Sequence, residues 1–422
     1  MSIPSIQSTN RTTQEVSTPA SPTQEMLQRV ASVVLQAIQN IQNSTTDQPH
    51  VTDLDMLSSS ARCLAKIGQF AQTLNVEPNN MVALEGLGDI CCLEANPSIA
   101  KKYYEKVMSI DPYNGTVMAK LGDVYAMLRD TRMLELLAKT YVEQGDNEGA
   151  KIQYKRIFNI DPNNIDALNN FGLLLSNLED YSSAQLYYER AAAIEPNSPE
   201  ILTNLGIAVL RQGNLEQSKT YLIQALNINP NFWQASYHLG QIYYQQGELE
   251  NAKKAFLQSL QHAPDKKTID ILNLLGATCM LQRNHDQGKQ YFEQVLNIDP
   301  NHLLARQNLG EVFRIQRNFV QAEMHLRNAL TLDRYDWFTL SRLGAVLYRQ
   351  DKLEEAKYFL EEAASLTPSS FSHQILHCLG NVLLSMSNLA QDEDTKRKYR
   401  IYATDRFNQA QYADYEYRSR QD

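Results

Sequence analysis

The chain has 422 residues, of which 43% are apolar and 21% are charged, and its mean hydropathy is −0.43. This composition is typical of a folded protein and excludes a wholly disordered or collagen-like chain. Lysine and arginine number 39 against 48 aspartate and glutamate residues, which gives a net charge of −9. Because the chain lacks the basic excess that drives non-specific phosphate binding, we expect no nucleic acid partner.

The five cysteines form neither a CxxC pair nor a set with zinc-ligand spacing, which fits a reducing compartment. The first residues lack the basic and apolar regions of a signal peptide, and no run of about 18 apolar residues occurs. We therefore expect a cytoplasmic protein with no membrane insertion.

The first 50 residues contain two contrasting segments. Residues 1–23 are rich in Ser, Thr, Gln and Pro and are predicted to be a disordered tail. Residues 24–43 are predicted to form an amphipathic helix, because apolar residues recur at helical spacing at Leu27, Val30, Val34, Ile38 and Ile41. We expect this stripe to dock near Leu64, Ile67 and Phe70, and self-association through the stripe is the alternative.

An apolar residue followed by glycine returns along the chain, usually every 34 residues. These glycines are Gly88, Gly122, Gly172, Gly206, Gly240, Gly276, Gly310, Gly344 and Gly380. A small residue stands 12 positions after the glycine position at Ala100, Ala150, Ala184, Ala252, Ala322 and Ala356, where Ala138 occupies the glycine position before Ala150. A proline marks the end of most repeats, at Pro78, Pro112, Pro162, Pro196, Pro230, Pro264, Pro300 and Pro368. A fixed period of this length predicts a repeat architecture.

The pattern resembles the tetratricopeptide repeat, whose period is 34 residues. Residues 165–198 fill its eight signature positions with Leu168, Phe171, Gly172, Leu175, Ala184, Tyr188, Ala191 and Pro196. The resemblance implies an all-α fold, a right-handed superhelical solenoid of antiparallel helix pairs. Small residues at Gly172 and Ala184 would let the two helices of a pair approach closely, and Pro196 would stop the second helix.

The repeat divides the chain into segments. We predict one complete repeat at 81–114 and seven between residues 131 and 370, starting at 131, 165, 199, 233, 269, 303 and 337. A degenerate N-terminal repeat at 51–80 would have a weak first helix at 51–59 and a second helix at 61–76. A degenerate repeat and capping helix would occupy 371–417, with a turn lengthened by residues 387–395, before a tail at 418–422.

The segment 115–130 is predicted to be an irregular joint helix. The step from Gly122 to Ala138, which occupies the next glycine position, is 16 residues rather than 34. The apolar stripes before and after the joint are out of phase, because the six residues from Leu128 to Leu134 rotate a helix by about 240°. We therefore expect a helix break near residues 130–132 and a change in superhelix direction there.

No catalytic motif is visible in the sequence. It contains no Walker loop, GxSxG elbow, HExxH motif or dinucleotide-binding glycine fingerprint. His373 and His377 are one helical turn apart but lack a third ligand nearby in sequence. We expect neither an enzyme nor a bound cofactor or metal.

In the tetratricopeptide family, positions 2, 5, 6, 9, 12 and 13 of each repeat lie on the first helix and line the concave surface. The candidate peptide-binding groove is therefore Asn170, Asn204, Tyr237, His238, Gln241, Tyr244, Asn273, Asn308, Arg314, Arg342, Tyr348 and Arg349. Asn169, Thr203 and Gln307 belong to the same stripe. We place the main binding surface in the repeats from 233–266 to 337–370.

Amides can bond an extended peptide backbone, and guanidinium groups hold carboxylates through paired hydrogen bonds. We therefore expect a protein or peptide partner with an acidic or C-terminal segment. The alternative is an ordinary solvated helix face, on which the arginines pair with Glu311, Asp336 or Glu354.

Chaperone-binding members of the family hold an EEVD-type tail with a clamp of lysine, asparagine and arginine. The first complete repeat instead has Glu85 and Asp89 at two clamp positions, so binding of such a tail is disfavoured. The resemblance favours a scaffold or adaptor that binds an extended peptide. The alternatives are a substrate-selecting or regulatory arm of a separate, glycosyltransferase-like enzyme, and a chaperone or assembly factor of a secretion or surface-organelle system.

Overall fold

A computed structural model describes residues 51–368 and 372–419, and these residues form twenty α-helices and no strand. The predicted helix at 24–43 and the tail at 1–23 lie outside the described residues. The chain divides into two compact units, Met1–Ile194 and Glu195–Asp422.

The described part of the first compact unit contains eight helices. They are α1 (Val51–Val76), α2 (Met81–Leu93), α3 (Pro97–Ile110), α4 (Gly115–Met127), α5 (Thr131–Glu143), α6 (Asn147–Ile160), α7 (Ile165–Asn177) and α8 (Tyr181–Ile194). Helices α2 and α3, α5 and α6, and α7 and α8 pack as pairs of consecutive helices.

The second compact unit contains six pairs. Their helices are α9 (Pro199–Arg211), α10 (Leu215–Ile228), α11 (Trp233–Gln245), α12 (Leu249–His262), α13 (Asp265–Leu281), α14 (His285–Ile298), α15 (Leu303–Ile315), α16 (Phe319–Leu332), α17 (Trp337–Arg349), α18 (Leu353–Leu366), α19 (Ser372–Leu389) and α20 (Glu393–Ser419). The predicted fold class, all-α with antiparallel helix pairs, is confirmed.

Short polar capping residues and a left-handed residue set the boundaries of most pairs. The side chain of Asn164 caps α7 by accepting a hydrogen bond from the amide of Ala167 at 2.9 Å. In eight of the nine pairs of the described chain, the backbone between the two helices turns through a residue with positive φ. This residue is Gly213 (φ +87°) after α9, and Glu179 takes the same conformation (φ +62°) after α7.

In every pair of the described chain except α5–α6, the core contains a close approach between a glycine of the first helix and a large side chain of the second. A Cβ atom on Gly172 would lie 2.6 Å from the Tyr188 ring, and Tyr188 is fully buried. Gly240 and Phe256 repeat this contact. The missing side chain lets the two helices pack around a buried ring, which explains the period read in the sequence.

The N-terminal repeat differs from the prediction. Residues Val51–Val76 form one continuous helix rather than a helix at 51–59 and another at 61–76, because no proline or positive-φ residue interrupts them. Ile67 is fully buried, and the Phe70 ring lies where a Cβ atom of Gly86 would be. The Phe70 ring therefore packs against α2, and docking of the 24–43 helix on this face stays a prediction.

The predicted break at the joint is confirmed. Helix α4 ends at Met127, Arg129 has φ +54°, and the Asp130 side chain caps α5. Helix α5 pairs with α6, so α4 has no second helix of its own. A Cβ atom on Gly122 would meet the side chains of Gln153 and Arg156 of α6 rather than an aromatic ring. The change in superhelix direction stays a prediction.

The expected long turn at 387–395 is wrong. Helix α19 runs to Leu389, α20 begins at Glu393, and the extra residues are helical because none of them is proline or glycine. Phe407 stands 27 residues after Gly380, yet its ring still packs against that glycine. Tyr188 follows Gly172 by only 16 residues, so the 11 additional residues add about three helical turns and keep the packing faces in phase.

The glycine contact predicts a specific sensitivity. Gly172→Ala should lower the free energy of unfolding by about 1 to 3 kcal/mol, because the buried Tyr188 ring must move. Gly68→Ala is the matched control, since no atom lies within 4 Å of the added Cβ. It should be neutral or stabilise α1 by about 0.5 to 1 kcal/mol. Urea unfolding of the two variants checks this, and equal stability would contradict the packing role of Gly172.

Candidate peptide-binding face

The first helices of neighbouring pairs contact one another in the second compact unit. Contacts join α9 with α11, α13 with α15, α15 with α17, and α17 with α19. Residues at equivalent positions of these helices therefore share one face. Eleven of the twelve predicted groove residues belong to this unit, whereas Asn170 belongs to the first.

The face is narrower than the sequence stripe, because position 5 is buried in three of the eight complete repeats. Asn169, Thr203 and Gln307 are 9%, 1% and 5% exposed. The Gln307 amide donates hydrogen bonds of 2.7 Å to the Thr339 hydroxyl and the Asp336 carboxylate. These three side chains lie within the packed interior, so including them in the concave stripe was wrong.

Two of the three asparagines at position 6, Asn170 and Asn308, bind the preceding first helix. Asn170 donates a hydrogen bond of 2.7 Å to Glu135, and Asn308 donates one of 3.3 Å to Asn273. Both partners lie 35 residues earlier in the sequence. The amide donors that were expected to hold a peptide backbone thus stabilise the contact between repeats.

A side-chain contact across the same 35-residue spacing occurs between Lys120 and Glu85. It gives the two acidic residues at clamp positions a structural role. The ammonium group of Lys120 donates to Glu85 at 2.8 Å and to Asp89 at 2.7 Å. Asp89 also accepts a hydrogen bond of 2.7 Å from the hydroxyl of the buried Tyr104. Both carboxylates have structural partners.

The residues of α11 form a half-buried cluster. His238 Nδ1 lies 2.9 Å from Oε1 of the Gln241 side chain. The Tyr237 and His238 rings meet edge to face, with their centroids 5.1 Å apart. Tyr244 packs against the core beside Phe256. Burial raises the pKa values of Tyr237 and Tyr244 and lowers the pKa of His238 to about 4. This part of the face is therefore neutral at pH 7.

Charge concentrates further along the face, in a cluster of Glu311, Arg314 and Arg342. Glu311 accepts hydrogen bonds from Arg314 Nε at 2.8 Å and Nη2 at 2.7 Å. It also forms a 2.6 Å ion pair with Arg342, whose guanidinium lies 4.1 Å from the centroid of the Phe338 ring. The expected alternative pairing of the arginines with Glu311 is therefore observed.

The cluster nevertheless carries a net positive charge, because two arginines share one carboxylate. Hydrogen bonds from Arg314 to Glu311 raise the pKa of Arg314, whereas burial lowers the pKa of Arg342. Both guanidinium groups stay protonated at neutral pH, since the intrinsic pKa of arginine exceeds 12. The side chains of Arg314, Arg342 and Glu311 are 39%, 27% and 20% exposed.

These charges line a cleft of about 440 Å³ formed by α15, α17 and α19, which we name the arginine cleft. Its wall includes Phe338, Ser341, Gln374, Ile375 and Cys378. Arg349 is exposed, and the Tyr348 hydroxyl lies 3.3 Å from Ser385 Oγ. The cleft thus combines cations with apolar surface.

A recurring hydrogen bond from a glutamine to a carboxylate of the preceding helix pair was not predicted from the sequence. Gln246 donates to Glu216 at 2.7 Å, Gln282 to Glu250 at 2.9 Å, and Gln316 to Asp286 at 2.9 Å. Each glutamine immediately follows a first helix, and each acceptor lies near the start of the second helix of the preceding pair. Recurrence of glutamine six residues after the repeat glycine is the signal that could have revealed it.

Two other kinds of site are absent from the described residues. Within 51–368 and 372–419, no group of three or more His, Cys, Asp and Glu side chains could hold a metal ion. None of the described helices is sufficiently long and apolar to cross a membrane.

Family models match four stretches of the chain. All four are described as tetratricopeptide repeat, and they cover residues 131–164, 178–231, 234–301 and 339–367. A search among curated proteins found no match.

Solved structures also match. A tetratricopeptide repeat protein from Parabacteroides merdae is 18% identical, covers 60% of this chain and 98% of its own, and has a TM-score of 0.44. MamA from Desulfovibrio magneticus is 22% identical, with coverages of 41% and 96% and a TM-score of 0.38. The APC/C hetero-tetramer Cut9–Hcn1 is 15% identical, with coverages of 84% and 63% and a TM-score of 0.44.

The neutral state of His238 can be tested by titration. Its ring should titrate near pH 4 by NMR, whereas an unfolded histidine titrates near 6.5. Between these values the unfolded chain binds a proton that folded His238 does not, so stability should fall as the pH decreases from about 6.5 to 4, by at most about 3 kcal/mol.

The variant His238→Gln should lack this component of the pH dependence while keeping a side chain able to bond Gln241. Urea unfolding of both proteins at neutral and mildly acidic pH measures the difference. A ring titration midpoint above 6 would show that His238 is solvated and can bring charge to the face.

Proposed function

The chain belongs to the tetratricopeptide repeat family, and we propose that it is a protein-interaction scaffold that holds an extended segment of a partner protein in the arginine cleft. Solenoid repeats expose long surfaces on rigid helices and contain no reaction centre in their repeating pattern. The segment would carry a carboxylate, from an acidic side chain or from a chain terminus. Among the predicted groove residues, Arg314 and Arg342 line this cleft, and we assign them to binding.

The observation that supports this proposal is the excess of positive charge in the cluster, which has two arginines and one carboxylate. Glu311 neutralises only one of its two arginine neighbours. A second carboxylate entering the cleft would complete the charge balance and could accept hydrogen bonds from the remaining guanidinium donors. Because Arg342 is largely buried and stacks on Phe338, water screens that interaction less than at an open surface.

The cluster also explains why the cleft would bind without large rearrangement. Glu311 holds Arg314 through two hydrogen bonds, and Phe338 supports the guanidinium plane of Arg342. Side chains fixed before binding lose little conformational entropy when a ligand arrives. Apolar wall atoms of Phe338 and Ile375 would contact a side chain next to the bound carboxylate.

Two substitutions in the cluster should act in opposite directions on binding. Arg342→Gln should weaken binding of the partner by about 2 kcal/mol, because it removes the buried cation. Glu311→Gln should strengthen binding of an acidic segment, because it removes the carboxylate that competes for both arginines. The measurement is a pulldown from native lysate with each variant as bait, followed by calorimetry on the recovered partner.

Neutral substitutions are preferable to the reversal of both arginines. Charge reversal would place three carboxylates together, because Glu311 lies within 2.8 Å of both side chains, and could disturb the fold. Arg283→Gln is the matched control, since Arg283 is exposed on a turn outside the cleft. If Arg342→Gln and Arg283→Gln recover the same partners with equal affinity, the arginine cleft is not the binding site.

A further inference from the structure

The pair α19–α20 contains residues that the repeat does not require. The second helix of a regular pair begins seven residues before the large side chain that covers the glycine, as Tyr181 precedes Tyr188. Helix α20 begins 14 residues before Phe407. Residues 393–399 are therefore an addition of about two helical turns.

A cluster of positive charge begins within this addition and ends at Arg400, in a chain whose net charge is negative. Four of the five residues from 396 to 400 are basic. Arg397, Lys398 and Arg400 are exposed and make no ion pair with any residue that the structure describes. Several cations on other second helices are paired, as Lys219 is with Glu248 and Arg327 with Glu323.

Apolar surface lies directly beside these charges. Ile401 and Tyr402 are each 57% exposed. The helix is nevertheless firmly held, because Tyr399, Ala403 and Phe407 pack in the core and the buried Ser387 hydroxyl donates a hydrogen bond of 3.0 Å to the Lys396 carbonyl. The exposed side chains therefore project from a rigid scaffold.

We propose that Arg397, Lys398, Arg400, Ile401 and Tyr402 form a second docking surface, which binds an acidic segment of a partner protein that also carries apolar side chains. We name these five residues the α20 surface. Arginine and tyrosine beside an aliphatic residue are typical of the energetically important centres of protein interfaces. Complementary charge would orient and accelerate the encounter.

Other polyanions fit the α20 surface less well. The exposed carboxylates of Asp392, Glu393 and Asp394 precede the basic cluster, and Asp405 follows it. An extended phosphate backbone would meet these carboxylates as well as the cations. A membrane-surface helix needs a free apolar face, whereas the apolar face of α20 is packed in the core through Ala403 and Phe407. A short acidic protein segment avoids both problems.

The test uses fluorescence anisotropy with a labelled peptide that alternates glutamate with phenylalanine and leucine. Combined Arg397→Glu, Lys398→Glu and Arg400→Glu substitutions should weaken binding at least about ten-fold. The matched control reverses three exposed cations elsewhere, as Lys254→Glu, Lys266→Glu and Arg283→Glu, and should change affinity less than about three-fold. Tyr402→Ala, which alters no charge, should weaken binding several-fold.

All variants are also measured with Arg342→Gln present, so that binding in the arginine cleft is separated from binding at the α20 surface. The loss of peptide affinity on charge reversal of Arg397, Lys398 and Arg400 should persist when Arg342→Gln is present. Far-ultraviolet circular dichroism and the thermal midpoint verify that each variant is folded. Equal losses in the two triple variants would overturn the proposal. So would binding of a single-stranded oligonucleotide or a phosphatidylserine vesicle through these residues in the absence of peptide binding.

Discussion

The close approach of two helices at a glycine is the constraint on which the rest of the structure depends. In eight of the nine helix pairs of the described chain, a glycine of the first helix lies against a large side chain of the second. Gly172 with Tyr188 and Gly276 with Phe292 leave no room for a Cβ atom. Residues of the first helix outside this contact are free to vary, and the charged cluster around Glu311 is formed by such residues.

The helix pairs could be predicted from the sequence because the glycine contact leaves a periodic trace. The boundaries within the less regular segments could not. The 11 residues added between Gly380 and Phe407 were expected to lengthen a turn, yet they lengthen two helices. Period alone does not distinguish these outcomes, whereas the absence of proline and glycine from those residues favours helix. Helix α1 is likewise continuous, because it contains no proline and no glycine lies at the break expected between residues 59 and 61.

The helical positions of the candidate site residues could be predicted from the sequence, but their hydrogen-bond and ion-pair partners could not. Helical spacing correctly placed Asn308 and Arg342 on first helices. It could not reveal that Asn308 bonds to Asn273, or that Arg342 and Arg314 share Glu311. Such partnerships depend on the distance and rotation between neighbouring helices, which a repeat period does not contain. The neutral state of His238 likewise follows from how deeply its ring is packed.

The contact of Gly122 in α4 with the polar side chains of Gln153 and Arg156 in α6 bears on the cooperativity of unfolding. In a stack of repeats, stability is approximately the sum of the contribution of each repeat and of each interface between neighbours. Where other glycines meet aromatic or aliphatic side chains, Gly122 meets Gln153 and Arg156, so less apolar surface is buried at this interface. We therefore expect the apolar part of the α4–α6 contact to couple these helices weakly, and we expect a boundary between cooperative folding units near Gly122.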